Sequence, residues 1–485
     1  MDTSFLKFLR CPFCEGALSL GGPKQVCLEP EYGVLSCNCG RYPIVAGIPI
    51  LKKGYIGSDG QSSEEVIALI ENGRRTDALF SLLTPPGLPP SPSWIRSLPS
   101  ISGIHRLKSF ARKRSAREWQ EQASALLADK EATACNFLDL YFSRNKNMTV
   151  RDYFAFRFGA GRYLVGLSFA ASVTRRSDRA LLDLACGCGH FTSGLVQHAA
   201  DRPVVGVDDS FFGLYVAKRW TAPQAEYLCC AGDKSLPFPE GAFSAAFCSD
   251  AFHCFVDKAT SVRELKRLTS DNGFIVLFGV RNGLLNHPYT GLALPPAGYE
   301  ALVADLPHRL MGDCEVLARY VRKQGPSLAQ SAEIERLASE PVLSIVASHR
   351  SEALVDYGTF GDWPHARGRL GLNPLYVKET RNGKGSVSLR RSFPSPLYER
   401  LNEECESYLP ISVDVNQSLW VDLANGRQTH EIGALVDQCV LLAIPERYGN
   451  PNASRTQSMA SDIAHPIVYS LGIEMCESFI CSAPN

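Results

Sequence analysis

The sequence predicts an α/β fold of parallel strands and intervening helices, on three observations. Short apolar runs alternate with stretches of helical spacing between residues 180 and 280. The first of these runs (180–184) enters a glycine-bearing turn before a helical stretch over 191–200. The later runs close in turn on Asp208, Asp233 and Asp250.

In the turn, Gly187 and Gly189 lack Cβ atoms, so the chain can bend sharply and a ligand can lie against bare peptide. The start of the following helix leaves amide N–H groups pointing into the same gap, where they favour negative charge. Residues 204–208 (Val-Val-Gly-Val-Asp) form a second buried-type strand. It ends on a carboxylate about 20 residues beyond the turn, the spacing of ribose-binding acids. A third run, 226–230, leads through Ala231-Gly-Asp233 to Leu236-Pro-Phe238, and a fourth, 242–249, ends on Asp250. Helical spacing returns over 258–268, and Asp271-Asn-Gly273 turns into an apolar strand over 274–278.

Four pieces carry a resemblance: the D-x-x-C-G-C-G turn from Asp183, the G-V-D acid at Asp208, the G-D…L-P-F step from Gly232, and R-E-L-K-R-L…D-N-G-F from Arg263. Together they resemble the class I S-adenosylmethionine (SAM)-dependent methyltransferases over roughly residues 151–290. The resemblance implies a Rossmann-like, seven-stranded core that binds SAM. It puts Asp183 near the methionine ammonium and the backbone of Ala185, Gly187 and Gly189 against the nucleoside and methionine. Asp208 would accept from the ribose hydroxyls, with Asp209 in its place if the register slips by one. Asp233, beside Lys234, would accept from the adenine amino group, with Leu236 and Phe238 against the ring. Asp250 would contact the methionine amine, and His253 is the candidate catalytic base for an acceptor proton. In such enzymes the helices before the first strand often form a lid, so Tyr153, Phe154 or Arg157 could face ligand. Cys186 and Cys188 have no adjoining base and read as packing.

At 485 residues the chain is too long for one core. It divides into a small N-terminal segment (1–56), a helical and proline-rich linker and lid (57–150), the core (151–290) and a mixed α+β C-terminal region (291–485) expected to hold the last core strands. The N-terminal segment pairs Cys11 and Cys14 with Cys37 and Cys39, the spacing of a structural zinc site on two knuckles. It is similar to the zinc ribbon of the tRNA-methyltransferase-activator type, except that the second pair is C-x-C; Cys27 is an alternative fourth ligand. The run 84–93 reads as a linker and 451–485 as a loosely attached tail. In the C-terminal region, 300–340 reads as helices, 372–379 and 386–391 as a hairpin inserted between the last core strands, and 412–421 and 439–444 as further strands.

Lys plus Arg equals Asp plus Glu at 50 each, so there is no general attraction to nucleic acid or to an anionic membrane. The basic stretch from Arg106 to Arg117 runs directly into acids and reads as a solvated helix face rather than an RNA patch. No apolar run is long enough to span a membrane, and charge and cysteines stand too near the start for a signal-peptide core. With 17 cysteines, an odd number, several inside strands, a reducing cytoplasm is expected. The sequence thus points to methylation of a small-molecule or natural-product acceptor. An rRNA or tRNA base methyltransferase and a non-catalytic SAM-binding scaffold are the alternatives.

Overall fold

The computed structural model describes residues 3–21, 31–57, 60–86, 88, 102–143, 148–174, 179–199, 201–287, 291–379 and 386–453. At its centre one sheet contains β1 (Ala180–Leu184), β2 (Val204–Asp208), β3 (Glu226–Cys229), β4 (Phe243–Ser249), β5 (Thr269–Arg281), β6 (His308–Gly312) and β7 (Val342–Ser348). Their order across the sheet is β6-β7-β5-β4-β1-β2-β3. The strands from β3 across to β5 are parallel. β7 enters antiparallel to β5, and β6 antiparallel to β7. The chain progresses outward from β1 to β3, then returns to lay β4 on the other side of β1. A crevice opens at such a reversal, outside the carboxyl ends of the strands.

The strands are apolar because both faces of the sheet are covered. Alternation still sorts their side chains. Leu181, Phe247, Val276 and Phe278 enter one core with Leu164, Leu167 and Phe169 of the helix Gly161–Val173. Leu182, Leu184, Ile275 and Leu277 enter the other with Val262, Leu265 and Leu268 of the helix Lys258–Leu268. That helix is capped by Asp257, whose side chain accepts from the Thr260 N–H.

The N-terminal residues build a small antiparallel sheet from Ser19–Leu20, Gly33–Cys37, Gly40–Val45 and Ile48–Pro49. It does not stand apart. Ile50 pairs with Cys229 at the open edge of β3, and the Leu51 N–H donates to the Cys229 carbonyl at 2.9 Å. The long helix Ser102–Ala128 buries Ala111, Ser115, Trp119 and Ala123, and exposes Arg112, Lys113, Arg114 and Arg117. Arg114 pairs with Glu118 at 3.0 Å, as a solvated face would.

Several expected elements fall elsewhere. The segment before the proline run forms two helices, Ser63–Glu71 and Arg75–Leu83, broken where Gly73 adopts φ 74°. The span 300–340 contains the edge strand β6, whose five residues are too short to betray an alternating pattern. β6 and β7 complete the core sheet, so the hairpin is not inserted between its last strands. That hairpin, Tyr376–Glu379 with Ser386–Arg391, instead joins Ser412–Asn416 in a separate sheet. The predicted strand 412–421 ends at Asn416, and a helix, Leu419–Ala424, follows. Leu441–Ala443 pairs with Leu370–Leu372, outside the core. Cys27, most of the proline run, the hairpin turn and nearly all of the tail lie outside the described residues.

The C-terminal region is bolted to the core by buried polar contacts. Arg151, 1% exposed, pairs with Asp139 at 2.7 Å and Asp152 at 3.0 Å, and donates to the Pro451 carbonyl at 2.9 Å. The Tyr448 hydroxyl donates to the Phe154 carbonyl at 2.6 Å and lies 2.8 Å from His190 Nε2. Removing one partner of a buried ion pair strands the others. Arg151→Met should therefore lower stability by about 3 kcal/mol, since Asp139 keeps contact with water. Scanning calorimetry would read this as a clearly lowered unfolding midpoint; an unchanged midpoint would refute it.

Candidate functional site

The turn after β1 is set by backbone conformation. Ala185, Gly187 and Gly189 all have positive φ (58°, 52° and 77°). Ala185 is a strained exception for a residue bearing a Cβ. At Gly189 a Cβ would lie 2.6 Å from the Cβ of Ala217, so only glycine fits. The bend lets the Gly187 N–H donate to Asp208 Oδ2 at 2.8 Å, while the Ser210 N–H donates to Oδ1 at 2.8 Å. The β2 carboxylate is thus fixed by backbone donors.

Above this turn lies a cavity of about 610 Å³ at the carboxyl edge of the sheet. Ala185, Gly187, Asp208, Asp209, Asp233, Lys234, Asp250 and His253 all line it, as do Tyr153, Phe154 and Arg157. Four expected residues do not. Gly189 stands behind the turn as the N-cap of the helix His190–His198. Asp183 is wholly buried beneath it, with Oδ2 accepting from Thr192 Oγ1 at 2.6 Å and Oδ1 lacking a partner among the described residues. Burial pushes the Asp183 carboxyl up to about 7. Leu236 and Phe238 also miss the cavity. Phe238 packs on Phe8 and Phe243, with ring centroids 5.7 and 5.1 Å apart, so the apolar wall is supplied instead by Phe255, against Gly232.

The two ends of the cavity differ in charge. At the β2 and β3 tips stand Asp208, Asp209 and Asp233. Burial raises the Asp208 carboxyl. Burial and then the neighbouring Asp208 push Asp209 up to about 7. Lys52, from the N-terminal segment, lines the cavity here and donates to the Asp209 carbonyl at 3.2 Å.

At the β4 and β5 tips the balance is reversed. Asp250 sits at φ 54°, and its Oδ2 accepts from Arg157 at 2.8 Å, Arg162 at 2.8 Å and the Tyr153 hydroxyl at 3.1 Å. Burial opposes its ionisation, but Arg162, Arg157 and Arg281 overcome this and hold the carboxyl well below the usual range. Gly279, at φ 69°, makes the crowding possible, because a Cβ there would lie 3.1 Å from Asp250. The Asp250 carboxylate is therefore committed to guanidinium groups, which leaves little of it for an ammonium. His253 is buried, and its Nδ1 has no hydrogen-bond partner among the described residues. Burial depresses its pKa to about 3.

Sequence reasoning assigns no role to Arg162, Arg281, Lys52 or the C-terminal contributors Tyr398 and Asn402, all on the cavity wall. Two of these carry a signal. Arg162 is the one charged side chain in the apolar helix Gly161–Val173, and Arg281 follows the apolar run 274–280 at the end of β5.

A second cluster stands at the N-terminal sheet. The sulfurs of Cys11, Cys14, Cys37 and Cys39 lie within 4.8 Å of one another, a grouping that could hold a metal ion. Three of the separations are 3.4, 3.7 and 3.4 Å. Tetrahedral zinc with bonds of about 2.3 Å sets sulfurs about 3.8 Å apart.

Residues 182–277 match the family described as a methyltransferase domain. A malonyl-[acyl-carrier protein] O-methyltransferase of Legionella pneumophila is 30% identical over 101 residues, covering 21% of this chain and 36% of that protein. A demethylmenaquinone methyltransferase of Deinococcus radiodurans is 32% identical over 110 residues, covering 22% of this chain and 46% of that protein. The chain thus spans less than half the length of these curated relatives. Among solved structures, a SAM-dependent methyltransferase of Aquifex aeolicus is similar at 12% identity, with 37% of this chain and 90% of that chain covered and a TM-score of 0.26.

The buried imidazoles make stability depend on pH. His190 and His253 are depressed to about 3, and His287 and His365 to about 4, each first by burial. Below pH about 6.5 the unfolded chain takes up protons that the folded chain refuses, so stability is lost as pH falls from there toward 3. His253→Gln should show a shallower fall of melting temperature between pH 6.5 and 5 than the parent. Parallel curves would show that His253 does not contribute.

Proposed function

We propose that this chain is a SAM-dependent methyltransferase acting on a small-molecule acceptor, with a structural zinc held by Cys11, Cys14, Cys37 and Cys39. One observation carries the reading. A single cavity at the carboxyl edge of the sheet combines a bare glycine turn, the backbone-anchored Asp208 and the Asp233 carboxylate. When bound, SAM supplies a methyl group on a positive sulfur that is already a good leaving group, so the protein has mainly to align the acceptor and exclude water.

In this reading the Asp208 carboxylate accepts from the two ribose hydroxyls, and Asp233 accepts from the adenine amino group. Phe255, rather than Leu236 or Phe238, stands beside the ring. Ala185 and Gly187 present bare backbone, and Lys52 offsets the acids of the β2 tip. Asp209 and Lys234 complete this wall, while Gly189 and Asp183 support it from behind. Asp250 acts by holding Arg157 and Arg162 rather than by meeting the methionine amine. His253 faces the acceptor end, but an imidazole of pKa about 3 has little drive to take a proton. It is better suited to contact than to general-base work.

Small acceptors are favoured over RNA because residues of three segments, including Tyr398, Leu401 and Asn402, close around the cavity. The exposed arginines of the helix Ser102–Ala128 are not on its wall. The names of the matched relatives also support methyl transfer. Every cysteine among the described residues is free, which fits a cytoplasmic setting and thiolates available for metal. No helix among the described residues is long and apolar enough to cross a membrane.

Calorimetry with S-adenosylhomocysteine tests the cofactor site. Asp208→Ala should weaken binding by about a hundredfold, about 2.8 kcal/mol at 1.4 kcal/mol per factor of ten. Unchanged affinity would remove the basis of the reading. The metal is tested separately. Elemental analysis should find one zinc per chain, lost in Cys11→Ser, and a zinc-free parent protein would exclude it.

A further inference from the structure

Three guanidinium groups converge on the acceptor end of the cavity: Arg157 and Arg162 from the helices before β1, and Arg281 from the last residue of β5. Arg157 and Arg281 are buried and Arg162 nearly so, their side chains 8%, 8% and 12% exposed. Arg157 is satisfied by Asp250 and by Ser249 Oγ at 3.3 Å. Arg162 is satisfied by Asp250, the Leu401 carbonyl at 2.8 Å and Asn402 Oδ1 at 3.1 Å.

Arg281 is not. Its Nη2 stands 4.0 Å from Asp250 Oδ1, at the limit of an ion pair, and its buried Nε has no hydrogen-bond partner among the described residues. The other carboxylate acting on this group is Glu404. Burying a cation without a full complement of acceptors is unfavourable unless a ligand completes it. Burial and then Arg162 bring Arg281 below the usual arginine range, the mark of a cation among cations.

We propose that the acceptor carries a carboxylate, seated on Arg281 at the β5 tip. This rests on the methyltransferase reading and names its substrate class. A guanidinium presents two parallel donors that match a carboxylate in plane and spacing. A bound anion supplies the acceptor that the buried Arg281 Nε lacks. The neutral His253 lines the cavity without adding charge, since burial and then Arg281 keep it unprotonated. A carboxylate arrives already deprotonated, so it asks no proton transfer of His253.

The rival source of the same chemistry is the methionine carboxylate of the cofactor. Protein saturated with S-adenosylhomocysteine is titrated with matched pairs, benzoate with benzamide and octanoate with octanamide. Each acid should bind at least tenfold more tightly than its amide. Arg281→Gln should erase that preference and change S-adenosylhomocysteine affinity by less than twofold; Arg281→Lys should keep part of the preference. The absence of any acid–amide difference, including no binding of either at millimolar concentration, overturns the proposal. So does an Arg281→Gln protein that loses S-adenosylhomocysteine affinity instead, which assigns the seat to the cofactor. The acid–amide comparison uses the unaltered protein, so it decides the matter however the variants fold. If S-adenosylhomocysteine fails to bind the parent protein, the methyltransferase reading falls, and the same titration of the cofactor-free protein still decides the carboxylate seat.

Discussion

The buried carboxylate of Asp250 joins segments that are far apart in the chain. Tyr153, Arg157 and Arg162, which precede the first core strand, all meet its Oδ2 at the end of β4. Through Arg162 the same network reaches Leu401 and Asn402, more than 200 residues further on. A charge this deeply buried persists only when it is paired and hydrogen-bonded, and here each partner brings its own segment over the cavity. The roof is therefore held electrostatically, from a single point on the sheet. The positive φ of Asp250 and the missing Cβ of Gly279 show how much backbone strain the arrangement accepts to bring that point into place.

The cavity is bipolar because of where the chain reverses. β1, β2 and β3 run outward in one direction, and β4 and β5 fill the other side. Carboxylates gather on the first side and guanidiniums on the second. The two sets are separated by the glycine turn, so they do not simply neutralise one another. A ligand spanning the crevice would meet acceptors for hydroxyl and amino groups at one end and donors for an anion at the other. Neither end could bind both parts equally well, so a two-part ligand is held in one direction.

What is legible in the sequence follows from burial. Strands covered on both faces have to be apolar, so β1, β2, β4 and β5 stand out, together with the turn and the acids at their tips. β6 escapes because a five-residue edge strand makes too few contacts to impose a pattern. Leu236 and Phe238 follow Asp233 closely, yet neither sequence distance nor apolarity says which way a side chain points. Phe238 in fact meets Phe8, a contact no local pattern contains. Asp183 stands out as a carboxylate in an apolar strand, but its place under the turn depends on Thr192, which the following helix brings back to it. The arginines are visible as charges in apolar settings. What hides their role is that their meeting point exists only after the sheet forms.

The N-terminal sheet gives the cavity a second dependence, on the four clustered thiols. Cys11 and Cys14 flank Pro12 and Phe13, which reach the cavity wall, and Leu51, Lys52 and Lys53 do so from the other end of the segment. Lys53 Nζ lies 4.3 Å from the Phe13 ring centre and 3.7 Å from Cys39 Sγ, so one side chain links wall and cluster. The pairing of Ile50 with Cys229 then fixes this segment against β3, within reach of Asp209. A segment this small has little apolar core of its own, and whatever orders the thiols also orders Lys52, the cation that offsets the acids of β2. Metal at the cysteines would thus act on the acidic end of the cavity without ever touching its contents.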